Sequence, residues 1–534
     1  MHVRSAPAAL AAVLLLVPRA APAQHDHHGA PAGGAVGTVA FETSCAPAAD
    51  AAFRQGVTLL HSFWYEEAER SFRRASEADP RCAIAWWGVA MSRLHPLWQA
   101  PGEADLAAGL QAVRAGKAIA ATPREQAYLD AMAAYWDAAA RPHRERLLAW
   151  ETATGEVHRA YPGDSEAAVF HALAIIAVAN ALPADAALER NRRAGAILEP
   201  IFRRQPAHPG LAHYLVHAYD APALATQGVE AARRYARIAP AVPHARHMPS
   251  HTFTRLGMWD ESIDSNRGAA EAGRRYEVEQ RLPGAWDQRL HALDYLAYAY
   301  LQQGRRAEAR RVVDDAAAVT VVEPRVSQAA DYALAAIPAR WALERGDWAG
   351  AARLAVRPSP AFPATEAITR FARGLGAART GNAAQAAREA AALDSLHAAL
   401  VAQQQGLWAG AVGVQRQALG AWIAWEGGDR ARALELSAAA ADAEARLEKH
   451  PVTPGSVLPA AALHGELLLR AGRPADALRA YESGLSREPN RAALLAGAVR
   501  AAEAAGNTAA AVRYATQYRR LMARADHARA ASTR

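Results

Sequence analysis

Through most of the chain, apolar and small residues recur in short stretches closed by glycine. Nowhere do alternating apolar runs rich in Val, Ile or Thr stand between Asn-Gly turns. The clearest unit is LPAAALHGELLLRAGRPADALRAYESGLSREPN, residues 458–490, with Gly465, Gly472, Ala477, Tyr481, Gly484 and Pro489 in order. Each has a mechanical reason. Gly472 ends one helix, the small residues let two antiparallel helices approach, Tyr481 fills the space between neighbours, and Pro489 stops the second helix. The punctuation recurs as Gly304 with Ala309, Gly346 with Ala351, Gly381 with Ala386, Gly428 with Ala433 and Gly506 with Ala511. Near the front, YEEAERSFRRASEADP carries it at Ala68, Phe72, Ala75 and Pro80. The pattern predicts an all-α chain, an α-solenoid of antiparallel helix pairs, with 357–364 and 450–456 as loops.

These motifs resemble the tetratricopeptide repeat family, and the likeness runs from about residue 48 to 525. Turn glycines 42, 47 and 44 residues apart indicate insertions. The resemblance implies a right-handed superhelix in which the first helix of each pair lines a concave groove. It also implies that the groove binds a protein or peptide partner, or a small ligand. Residues 45–280 then form an N-terminal set of repeats and 281–534 a C-terminal set.

Composition narrows the class. Of 534 residues 51% are apolar and 21% charged, as in a folded globular chain. The formal charge of +7 comes almost entirely from arginine, since lysine occurs only at Lys117 and Lys449. The arginines alternate with Asp and Glu along the helical stretches, so they read as a solvated surface rather than a nucleic-acid interface. At the N-terminus, MHVR, the apolar run Ala8 to Val17 and Ala21-Pro22-Ala23 read as a signal peptide over 1–23, cleaved after Ala23. That run is too short to span a bilayer, which needs about 20 residues. The expectation is a periplasmic or secreted protein with no transmembrane segment and a flexible tether over 24–44. In that setting Cys45 and Cys82, each near the start of a helix, are expected to form a disulfide.

The candidate chemistry lies in two segments, HYLVHAYD (213–220) and HARHMPSH (244–251). His213 to His247 and His217 to His251 are both 34 residues. Aligned on the turn glycine, Tyr219 and Phe253 take the slot between helices. His217 and His251, two residues earlier, are turned about 200° away. His213 and His247 share their face, being four residues before them. By the family resemblance that face is the concave one. Carrying the pattern forward 47 residues places Asp294 and Tyr298 in the same positions and maps His244 onto His291. The expected ligand-binding groove is therefore His213, His217, Asp220, His244, His247, His251, Arg255, His291, Asp294 and Tyr298. His213, His217, His247 and His251 form a box for zinc or copper, both suited to imidazole. Shared repeat ancestry is the rival explanation for the matched pairs.

Pro249 disfavours helix at Met248, which would leave His244 and His247 in a loop. A metal-dependent hydrolase in the groove is the alternative function. The pairs are HYLVH and HMPSH rather than H-E-x-x-H, so Asp220 or Asp294 would have to act as base. The aromatic stretches HSFWYEEA and AWWGVAMSRLHPLW read as packing between repeats. Gln24-His25-Asp26-His27-His28 can bind metal loosely within the tether.

Overall fold

The computed structural model describes residues 35–138, 140–182 and 188–526. The signal peptide, the histidines at 25–28 and the first part of the tether lie outside them. The described chain is a solenoid of helix hairpins. The first six are α1 (Pro47–His61) with α2 (Tyr65–Ala78), α3 (Ala83–Ser92) with α4 (Glu103–Lys117), α5 (Pro123–Trp136) with α6 (His143–Ala160), α7 (Ser165–Ala181) with α8 (Glu189–Arg204), α9 (Pro209–Ala218) with α10 (Val229–Ile238), and the split helix α11 (Pro243–His247) and α12 (Pro249–Arg255) with α13 (Trp259–Glu279). Six follow: α14 (Asp287–Gln302) with α15 (Arg306–Ala317), α16 (Gln328–Leu343) with α17 (Trp348–Ala352), α18 (Pro363–Arg379) with α19 (Ala383–Ala402), α20 (Gly406–Glu426) with α21 (Arg430–Ala445), α22 (Ala460–Arg470) with α23 (Pro474–Arg487), and α24 (Ala492–Ala504) with α25 (Thr508–Leu521). Among the described residues the extended pairing is one short parallel bridge, Ala285–Trp286 against Val322–Glu323.

Glycine turns make the hairpins. Gly304, Gly346, Gly381, Gly428, Gly472 and Gly506 all adopt φ between 65° and 90°, a left-handed conformation that costs glycine little and closes the preceding helix. The small residues set helix spacing. A Cβ at Gly465 or Gly497 would stand 2.6 or 2.1 Å from the Tyr481 ring, so the buried tyrosine occupies the space both glycines leave. Phe72 does the same between Gly56 and Gly88.

Two expectations change. The stretch 35–44 is not a free tether: Phe41 is fully buried against Phe53, Trp87 and Tyr128, and the Thr38 amide donates to the Ala207 carbonyl at 3.1 Å. An apolar ring that finds a pocket pins the strand of chain carrying it. The division at 280/281 also has no structural counterpart, because residues from Gly34 onward form one compact unit and α14 packs on α13 and α11.

The superhelix also closes on itself. Helix α1 reaches α9, and Trp259 donates its indole N–H to the Asn490 carbonyl at 2.9 Å. The connection 446–459 between α21 and α22 turns into the hollow. The concave face over the histidines is therefore roofed by the chain's own residues.

Cys45 and Cys82 are bonded, with Cα atoms 4.7 Å apart, tying the start of α1 to the start of α3. The bridge closes a loop of 37 residues, for which the chain-entropy model gives about 4 kcal/mol. Reduction, or Cys45→Ser with Cys82→Ser, is expected to lower unfolding free energy by up to that amount while far-UV helix content persists. Urea unfolding with and without reductant measures it.

Candidate metal centre

Four helices bring six histidines together. Helix α9 carries His213 and His217 one turn apart. The α11–α12 rod carries His244, His247 and His251, and α14 carries His291. Met248 keeps helical angles (φ −54°, ψ −35°), and its amide donates to the His244 carbonyl at 2.9 Å. Pro249 thus removes one amide from the ladder without unwinding it, and His244 and His247 lie on the rod rather than in the expected loop. Side chains three apart on such a rod diverge by about 60° while those four apart stay nearly in line. Accordingly His244 turns toward α9, and His247 pairs with His251.

The result is two sets of three rather than one box of four. His213, His217 and His244 converge in one, and His247, His251 and His291 in the other. Within each set the ligand nitrogens lie within 4.8 Å of one another. All six rings are buried, His213 completely. In the first set the Nε2 of His213 stands 3.1 Å from that of His217 and 3.2 Å from that of His244. In the second, the Nε2 atoms of His247 and His251 are 3.1 Å apart.

The opposite ring nitrogens decide what those short distances mean. His213 donates Nδ1–H to the His61 carbonyl at 2.7 Å. His247 donates Nδ1–H to Asn266 Oδ1 at 2.7 Å, and the Asn266 amide is oriented by its own donation to the Ser262 carbonyl. His251 donates Nδ1–H to Asp220 Oδ2 at 2.9 Å, and His244 Nδ1 faces Gln288 Oε1 at 3.1 Å. A neutral imidazole has one N–H, so the Nε2 atoms of His247 and His251 face each other with bare lone pairs. A cation relieves that opposition. An ion at 2.0–2.1 Å from two nitrogens 3.1 Å apart subtends an angle of about 100°, close to tetrahedral with room for a further ligand. The outer donors to carbonyl, amide and carboxylate oxygens are those that orient metal-bound histidines. The Nδ1 of His291 is buried without a hydrogen-bond partner, an unmet polar atom within the second set.

Burial, reinforced by neighbouring rings, holds His213, His217, His244, His247 and His291 well below the ordinary imidazole pKa. They are neutral, the form that binds metal. For Asp220 burial works upward, but Lys449 at 2.8 Å, Arg255 at 2.8 Å and His251 outweigh it and keep the carboxylate ionised.

Not every expected residue joins the sets. Asp220 and Arg255 stand behind His251. Asp294 lies at 2.9 Å from Arg340 as a fully buried pair, and the Tyr298 ring is sandwiched by the guanidinium groups of Arg340 and Arg491. Both sit farther along α14 than His291, which the same 47-residue shift carries into the second set, and there Arg340 of α16 takes them.

The sequence reading missed several participants. His61 and Phe63, in HSFWYEEA, supply the carbonyl for His213 and a ring packed on it at 4.4 Å. Trp98 lies 5.5 Å from His291, and Tyr295 donates its hydroxyl to the Thr453 carbonyl at 3.0 Å. A small chamber between the sets is lined by His217, His244, His251 and His291, with Trp98, Leu97, Met248, Gln328 and His450-Pro451-Val452 completing the wall. The aromatic stretches were legible as core; their role beside the histidines was not.

A third cluster, His61, Glu166 and His208, has the same residue types and a different logic. Glu166 accepts from both Nε2 atoms at 2.8 and 3.0 Å, and His208 Nδ1 accepts the Leu211 amide. Those hydrogen bonds answer one another without an ion.

No family model matches this chain, and no curated protein does. Among solved structures, Naa15/Naa10 bound to HypK-THB aligns at 13% identity and a TM-score of 0.23, over 88% of this chain and 70% of that one. The TPR domain of P58(IPK) aligns at 12% identity and a TM-score of 0.21, over 86% of this chain and 99% of that one. The fold assignment rests on the helix hairpins themselves.

The lowered imidazole values set a pH dependence for metal-free protein. Below about pH 6.5 an unfolded chain protonates its histidines while these buried rings resist. More protons bind the unfolded state there, so stability is intact above that pH and falls as the medium is acidified. The urea midpoint of chelator-treated protein is expected to drop between about pH 7.5 and 5.5, and less so in His213→Gln/His247→Gln.

Proposed function

We propose that this helical-repeat scaffold is a transition-metal protein whose two tri-histidine sets hold one ion each, zinc or copper by ligand type. One observation carries the reading: bare Nε2 lone pairs face each other at 3.1 Å while the opposite nitrogens donate to fixed oxygens. Without a cation, that arrangement buries unsatisfied nitrogen acceptors, at a cost of about 1–3 kcal/mol for each such group.

The hydrolase alternative loses support at its base. Asp220 is engaged by Lys449, Arg255 and His251, and Asp294 by Arg340. Asp220 has both carboxylate oxygens engaged, and Asp294 is held by Arg340 through Oδ1. The partner that the repeat resemblance implies would find room in a separate cavity of about 1240 Å³ lined by Trp259, Tyr298, Tyr332, Phe371 and Trp408. It suits an apolar ligand or a peptide side chain. Export, expected from residues 1–23, accords with the Cys45–Cys82 bond, and among the described residues no helix is long and apolar enough to cross a membrane.

Tag-free protein purified without chelator is expected to carry two ions per chain by elemental analysis. His247→Ala should leave one, His213→Ala/His247→Ala none, and Glu166→Gln two, since the third cluster is self-satisfied. Reloading a chelated sample at 100-fold above its Kd should add about 2.7 kcal/mol of stability for each ion bound. Absence of metal before and after loading would refute the proposal.

A further inference from the structure

We propose that the two sets work as a single copper pair that takes dioxygen into the chamber between them, a step that rests on the metal reading above and adds the ion, the coupling and the substrate. Three observations converge on it. The sets abut: His217 and His251 have ring centroids 5.7 Å apart, and His244 and His247 5.9 Å. Both sets open on the same enclosure, because His217 and His244 of one and His251 and His291 of the other line it. Ions placed so are within reach of one small bridging molecule, as in two-metal centres with ions about 3.5–4 Å apart.

Charge selects the metal. All six donors are neutral, and the nearby carboxylate of Asp220 is already neutralised by Lys449 and Arg255. No carboxylate bridges the sets. Two divalent ions would bring four uncompensated charges into a buried site, and the cost of burying an ion grows with the square of its charge. Monovalent copper halves the imported charge, and imidazole is among the ligands that suit copper. Zinc has no such state.

The enclosure selects the substrate. Apart from the histidines its wall consists of Leu97, Trp98, Met248, Gln328, Pro451 and Val452, a small and largely apolar lining. A small uncharged molecule enters such a space more readily than a phosphate or carboxylate. In the step, each ion goes from Cu(I) to Cu(II), dioxygen accepts the two electrons, and its O–O bond stays intact. The reduced diatomic then carries two negative charges, the anionic ligand that six imidazoles do not provide. His450 lines both this chamber and the larger aromatic cavity, so it stands between them.

The test loads metal-free, full-length protein with Cu(I) under anaerobic conditions and then admits oxygen. Expected are two copper ions bound per chain, one O2 consumed per pair of ions, and no Cu(II) electron paramagnetic resonance signal after oxidation, because two bridged spins cancel. His291→Gln should bind one ion, consume no O2 in that ratio, and show a full signal on oxidation; His217→Gln serves in the other set if the first variant does not fold. Two bound coppers with no O2 uptake, or with as many spins as ions, would overturn the proposal. So would a chain that takes two zinc ions and no copper, although the metal reading would then stand. Fewer than two ions of either metal in the unmutated chain would overturn that earlier reading instead.

Discussion

The centre of this molecule depends on where six imidazoles keep their protons. Each histidine offers one donor and one acceptor nitrogen when neutral. Burial enforces neutrality here, and the His61 carbonyl, Asn266 and Asp220 claim the Nδ1 protons of His213, His247 and His251. The acceptor nitrogens of His247 and His251 are left facing each other at 3.1 Å, and those of His213 and His244 at 3.2 Å. Two lone pairs cannot satisfy each other. The surrounding fold holds them there, as a preorganised ligand set would require.

The His61–Glu166–His208 cluster makes the distinction concrete. It is just as buried and has the same ligand types, yet its carboxylate accepts from both rings and each donor is answered. Residue identity alone would rank it with the other two sets. Hydrogen-bond direction separates them.

The scaffold supplies the geometry through ordinary repeat mechanics. Consecutive first helices lie side by side, so α9 and the α11–α12 rod present matching histidine pairs, and α14 adds one more. The polar support comes from much farther along the chain. Lys449 at 8% exposure reaches Asp220, Glu448 reaches Arg255, and Tyr295 secures the Pro451–Thr453 backbone over the chamber. An ion pair so shielded is expensive to break, so the roof and the ligand positions are linked through one carboxylate.

The sequence by itself determined the helix hairpins, because turn glycines, small residues and inter-helix aromatics act within a few residues of themselves. It also determined that His213 and His217 share a face with His247 and His251, since a 34-residue interval repeats one local geometry. The tertiary structure decided how those rings are divided. His244 and His291 complete two sets of three because the rod stays helical through Pro249 and because α14 packs beside it. The register that pointed to His291 also pointed to Asp294 and Tyr298, but farther along α14 those two meet Arg340 of α16 instead of the histidines. The closing of the superhelix brought the 446–459 connection over the hollow, and with it Lys449 and His450, more than 200 residues from Asp220 in sequence. Local pattern fixes what a helix presents; which distant groups meet it depends on how the whole stack curves, and no single segment encodes that.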